Sequence, residues 1–157
     1  MNTTRIKSVP LLLALALGAC ASNTRPSMSY VAPTVTGSEA RILAADATAF
    51  LADQVPPGRA TFVLDPPKAG PDLLTGELSA NLRGRGYGVL VANPKTGRAA
   101  GQGVPLRYTA TPLDSGLVLR LQYLNHEAAK YYSRTAPGQV AADAAPFVVR
   151  EGVSHGN

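Results

Sequence analysis

Apolar positions recur along this chain with two different periods, and each period predicts a different kind of element. Between residues 38 and 54, Ile42, Leu43, Ala47, Phe50 and Leu51 fall at helical spacing, with Glu39, Arg41, Asp46 and Asp53 mostly off that stripe. Ser38 is the candidate N-cap, and Pro56-Pro57-Gly58 stops the helix. A second helix is expected from about Pro71, because Leu74, Leu78 and Leu82 repeat at i, i+4 and i+8 with Leu73 beside them. Proline suits a first helical turn, and Asp72 suits its positive end. Arg83 and Arg85 close that helix, with Gly84 or Gly86 as a left-handed cap.

The other period is two. Residues 60–64 are continuously apolar and β-rich, and Asp65-Pro66-Pro67 ends them. Residues 87–92 form the next predicted strand, followed by a polar, Gly-rich loop over 93–103. Residues 105–111 place Leu106, Tyr108 and Ala110 on one face. In 117–123, Leu117, Leu119, Leu121 and Tyr123 alternate with Val118, Arg120 and Gln122, the mark of a half-buried strand. Residues 113–116 and 124–126 read as turns, 128–134 as a strand pairing back, 135–146 as loop and 147–150 as a last short strand.

Two one-sided helices and a run of strands predict an α+β fold. The expected form is a two-layer sandwich, with both helices on one face of a mixed, mainly antiparallel sheet of about five strands. Ser, Thr, Asn and Pro dominate residues 21–37, which show no apolar period and read as a flexible linker. The expected organisation is a signal peptide over 1–19, a lipidated N-terminus and linker over 20–37, a single domain over 38–153, and a disordered tail over 154–157.

The N-terminal assignment rests on three zones. Arg5 and Lys7 are positive, an apolar stretch follows, and Leu17-Gly18-Ala19-Cys20 closes it. That is the layout of a secretory signal peptide. Its apolar run is about half of the roughly 20 residues needed to span a bilayer. The closing tetrapeptide resembles the lipobox of bacterial lipoproteins. The resemblance implies that the Cys20 thiol receives a diacylglycerol and that cleavage falls before it. In such proteins an Asp after the cysteine favours inner-membrane retention; Ala21 stands there, so the expected address is the periplasmic face of the outer membrane.

Composition narrows the chemistry. Cys20 is the only cysteine, so once it is acylated no thiol remains for a disulfide, a metal or catalysis. The chain has 157 residues, enough for one real core. Its formal net charge of +5 includes Arg5 and Lys7, so the remaining balance is mild and does not imply nucleic acid. No cofactor and no small-molecule substrate is expected.

A search for catalytic constellations finds none. Gly84-Arg85-Gly86-Tyr87-Gly88 closes a helix and opens a strand, the reverse of a dinucleotide loop. The two histidines, His126 and His155, lie in a predicted turn and in the tail, without metal-ligand spacing or a nucleophile elbow. Asp72 and Glu77 point in different directions on one helix, while Asp65 and Asp114 read as turn residues. Tyr108, Arg120, Tyr131 and Tyr132 are the candidate partner-binding residues, because Tyr and Arg anchor protein interfaces. The chain is expected not to be an enzyme.

Phe50-Leu51-Ala52-Asp53-Gln54-Val55-Pro56-Pro57 leads into Ala60-Thr61-Phe62-Val63-Leu64-Asp65-Pro66-Pro67. Leu78-Ser79-Ala80-Asn81-Leu82-Arg83-Gly84-Arg85-Gly86-Tyr87-Gly88-Val89 follows, then Val104-Pro105-Leu106-Arg107-Tyr108 and Leu117-Val118-Leu119-Arg120-Leu121. With the lipobox, this order resembles the conjugal transfer protein TrbH family. The resemblance implies a structural or assembly role in a conjugative type IV secretion apparatus, with the other subunits of its core complex and the membrane as partners. It carries over no catalytic residue. The alternative is a periplasmic lipoprotein that binds or regulates an envelope enzyme or a ligand.

Overall fold

A computed structural model describes residues 28–70, 72–136, 138–141 and 145–151. The predicted signal peptide, Cys20 and the 154–157 tail with His155 lie outside the described residues. In chain order the elements are β1 (Tyr30–Val31), α1 (Gly37–Gln54), β2 (Thr61–Leu64), α2 (Leu73–Gly84), β3 (Gly88–Val91), β4 (Val104–Leu113), β5 (Gly116–Tyr123), β6 (His126–Ala136), β7 (Gln139–Val140) and β8 (Val148–Glu151). The α+β class stands. The sheet has eight strands among the described residues, not about five, and it is curled rather than flat.

The extra strands explain the difference. Along the sheet the order is β3-β2-β4-β5-β6-β7, with β1 also on β4 and β8 also on β6. β2 is parallel to β3 and β4, while β4, β5 and β6 form an antiparallel meander. β2 pairs with β4 only as far as Leu64 opposite Leu106. The Asp65 N–H still reaches the Leu106 carbonyl, but Pro66 and Pro67 have no N–H to continue the ladder. β1 then takes over the same edge of β4, in parallel, with Tyr30 opposite Thr109 and Val31 opposite Ala110. Ser29 Oγ accepts the Tyr108 N–H at 3.1 Å, and the Ala32 N–H donates to the Ala110 carbonyl at 2.9 Å.

Part of the segment expected to be linker is therefore folded. Ser29, Ala32 and Val35 are buried. A two-residue strand leaves no period for a pattern search to find; what orders it is the vacated edge of β4. The outer edge of β6 is divided in the same way, between β8 at residues 126–129 and β7 at 134–136, the latter inside the expected 135–146 loop.

Both helices cover one face of the sheet. α1 buries Ala40, Leu43, Ala44, Ala47 and Leu51, and α2 buries Leu74, Leu78 and Leu82. These join Phe62, Leu64, Leu106, Tyr108, Ala110, Leu117, Leu119, Leu121, Tyr123, Ala128 and Tyr132 in one core cluster. Each fully buried Leu or Phe stabilises the fold by roughly 1.5–3 kcal/mol. Thr36, not Ser38, caps α1: its hydroxyl accepts the Glu39 N–H while the Glu39 carboxylate accepts the Thr36 N–H, a full capping box. Asp72 caps α2, which begins at Leu73. Gly86, at φ +89°, is the left-handed residue after α2, as expected.

Candidate interaction surface

The helices leave the opposite sheet face uncovered, and register fixes which side chains stand on it. One row across five strands is Tyr30, Thr109, Arg120, Ala129 and Val148. A second is Arg107, Gln122, Glu127 and Arg150; a third is Thr111, Val118 and Tyr131; the last is Leu113, Gly116 and Ser133. Met28 joins this face two residues before Tyr30, lining a hollow of about 140 Å³ with Arg107, Thr109, Arg120, Gln122 and Glu127.

The face grades from charged to apolar. At its charged end Arg107 Nε lies 3.5 Å from an Asp65 carboxylate oxygen, and Gln122 donates to Glu127 at 3.2 Å. Toward the β4–β5 turn, Tyr131 and Leu113 are exposed, 38% and 51% respectively. Tyr131 lies over Gly116: a Cβ added there would come within 2.5 Å of the tyrosine ring. The ring therefore occupies the space a side chain at Gly116 would need.

The four residues singled out from sequence divide between the two faces. Arg120 and Tyr131 stand on the open face and are exposed. Tyr108 and Tyr132 are buried beneath the helices. Adjacent strand residues point to opposite sides, so Tyr131 and Tyr132 cannot share a surface. The two buried tyrosines tie helices to sheet. The Tyr108 hydroxyl bonds Thr75, whose hydroxyl donates to the α2 cap Asp72. The Tyr132 hydroxyl donates to Asp46 of α1 at 2.6 Å, and Lys130 Nζ meets the same carboxylate at 2.7 Å. Burial pushes the Tyr108 phenol well above its ordinary value. Burial and the Asp46 carboxylate do the same to Tyr132, so both remain neutral donors.

The remaining candidates are placed in the framework. His126 opens β6 opposite Tyr123, with ring centroids 5.8 Å apart, rather than sitting within the turn. Asp65 pairs with Arg107 where β2 leaves the sheet. A second hollow of about 190 Å³ lies between residues 30–35 and the loop before α2. Both hollows are smaller than the roughly 300–1,000 Å³ typical of ligand pockets. Among the described residues no three His, Cys, Asp or Glu side chains cluster to hold a metal, and no helix is long and apolar enough to cross a membrane.

The sequence reading missed Met28, Tyr30, Leu113 and Val148. The signal was present for the first two in Met28-Ser29-Tyr30-Val31, where alternate residues face the same way. The alternation spans only four residues and lies among polar neighbours, which hides it.

Comparison with known proteins adds the biological context. The family model described as conjugal transfer protein TrbH matches residues 22–152. The chain belongs to the TrbH family. Membership gives it a role in conjugal transfer. The matched region takes in both helices and all eight described strands, including β1 at its start and β8 at its end. No curated protein matches the chain. No solved structure matches it either.

Proposed function

We propose that this TrbH-family chain is an outer-membrane lipoprotein, anchored through Cys20 with its domain in the periplasm. Its task is to help assemble or hold a conjugative type IV secretion apparatus. The observation that carries this reading is the family match over 22–152, which begins two residues beyond the cysteine of Leu17-Gly18-Ala19-Cys20. Several acyl chains make such an anchor stable, since each buried CH₂ contributes roughly 0.8 kcal/mol.

The role is non-catalytic in this reading. Glu39, Asp46, Lys130, Tyr132 and Arg134 are engaged in ion pairs and hydrogen bonds that fasten α1 to β6. In this reading the protein acts by what its surface touches and where it is held. The test is deletion of the gene followed by measurement of plasmid transfer and recovery of the core complex. Transfer should fall and return with the wild-type gene; unchanged transfer with an intact complex rejects the assembly role. Radiolabelled palmitate should enter the wild type and not Cys20→Ser. Label in that variant rejects the anchor site.

A further inference from the structure

We propose that the open sheet face is the membrane-facing side of the domain, lying against the anionic phospholipid surface that holds the anchor. The inference rests on the Cys20 anchor proposed above, and on three observations about where the tether enters and what surrounds that point.

The first is the point of entry. The described chain begins at Met28, and β1 fastens the following residues to β4. Eight residue steps separate Cys20 from Met28, a span of at most about 30 Å when fully extended. A domain of this size is about 35 Å across. The anchor therefore holds Met28 within roughly one domain diameter of the bilayer. Met28 and Tyr30 both stand on the open face, while Ser29 between them is buried.

The second is the distribution of exposed apolar side chains. Nine large ones are exposed among the described residues, and five of them, Met28, Tyr30, Leu113, Tyr131 and Val148, stand on this face. Two are tyrosines, which suit the boundary between headgroups and acyl chains. Of the other four, Val91 and Val149 stand by register with buried Leu64 and Ala128 on the helix-covered side, Leu73 opens α2, and Leu124 lies in the β5–β6 turn.

The third is charge. Arg107, Arg120 and Arg150 rise from the same face. Two carboxylates stand near them, Asp65 on Arg107 and Glu127 on Gln122. Arg120 is exposed at the centre of the row formed by Tyr30, Thr109, Ala129 and Val148, an arginine among apolar and small side chains. That is the chemistry of a lipid headgroup layer: a cation for phosphate, with apolar side chains beside it to enter the interface.

The experiment has two arms. In the first, the lipidated chain carrying Ala129→Cys or Ala45→Cys is reconstituted in vesicles of phosphatidylethanolamine with phosphatidylglycerol. Because Cys20 is acylated, the introduced thiol is the only one to take an environment-sensitive fluorophore. Brominated lipids should quench the label at position 129 severalfold more than the label at exposed position 45 on α1. Equal quenching overturns the proposal. So does a label at 129 that is shielded by protein, shown by a cross-link to a second copy.

In the second arm the unlipidated Cys20→Ser chain is sedimented with the same vesicles. It should bind, more weakly at high salt, and Arg120→Gln should loosen binding about fivefold. A parent chain that does not bind, or an Arg120→Gln chain that binds equally well, overturns the proposal. This arm separates the two readings. If wild-type protein takes up no palmitate, the anchor site is wrong, while sedimentation of the unlipidated chain still decides what the face binds.

Discussion

Arg134 Nε lies 2.7 Å from Glu39 Oε1, joining β6 to the first turn of α1 through a carboxylate that is fully buried. The same carboxylate accepts the Thr36 N–H at 2.9 Å, so one side chain closes the helix cap and binds the sheet. Thr36 and Ser38 hydroxyls both donate to the Gly138 carbonyl, which draws the β6–β7 turn onto the same helix end. Burial opposes the charge on Glu39, but the Arg134 guanidinium and the Thr36 amide outweigh it, and the carboxyl titrates below its ordinary value of 4.5.

Replacing Glu39 with Gln should therefore cost about 2–4 kcal/mol at neutral pH, since a buried partner is removed while Arg134 keeps some access to water. The sign of the pH effect follows from the lowered value. The contribution is complete above about pH 4.5 and is lost as pH falls through the folded-state value. Urea titrations of wild type and Glu39→Gln should show a wide gap at pH 7 that closes below pH 4.5. A gap independent of pH would assign the loss to packing instead of charge.

The glycines of the sheet and of the helix should respond in opposite directions. At Gly116 an added Cβ would overlap the Tyr132 carbonyl oxygen and come within 2.5 Å of the Tyr131 ring. Gly116→Ala should cost about 2–3 kcal/mol through forced displacement of a strand. Gly76, inside α2 with nothing within 4 Å of the added Cβ, should gain about 0.5–1 kcal/mol as Ala. Thermal melts of the two single variants read both signs.

β1 should act as part of the domain and not as tether. A chain starting at Pro33 loses the strand that completes β4 and uncovers a parallel edge. It should unfold about 2–3 kcal/mol more easily than one starting at Pro26, and associate more readily. Ser29→Ala should cost about 1 kcal/mol by removing the acceptor of the Tyr108 N–H. Equal urea midpoints for the two chain lengths would show that β1 adds nothing to stability.

The β5–β6 turn carries a local conflict. Leu124 is 60% exposed and has φ +49°, a region costly for a side-chain-bearing residue. Leu124→Gly should stabilise the domain by about 0.5–1 kcal/mol, read as a higher melting temperature without a change in the circular dichroism spectrum. A lower melting temperature would mean that Leu124 makes a contact worth more than its strain.

Several features were legible in the residues because they are local. The 3.6 period of Leu74, Leu78 and Leu82 gave α2. The strict alternation of Leu117, Leu119, Leu121 and Tyr123 gave β5 and its buried face. The family resemblance was legible in the order of short motifs, and Arg120 was legible as an interface-type residue on the polar side of the β5 alternation. Tyr108 and Tyr132 were harder. Aromatic type says that a residue packs, but the face it packs on depends on register, which the turns at Asp114 and Leu124 set.

The sequence by itself determined the class of fold, both helices and the meander of long strands, since each is written in neighbouring residues. Only the tertiary structure decided that residues 30–31 form a strand, that Glu39 meets Arg134, and that Tyr30, Arg120, Tyr131 and Val148 share one open face. The physical reason is separation along the chain. Tyr30 and Val148 stand in one row only because three strands, β4, β5 and β6, pair in register between theirs, and no local pattern encodes that distance.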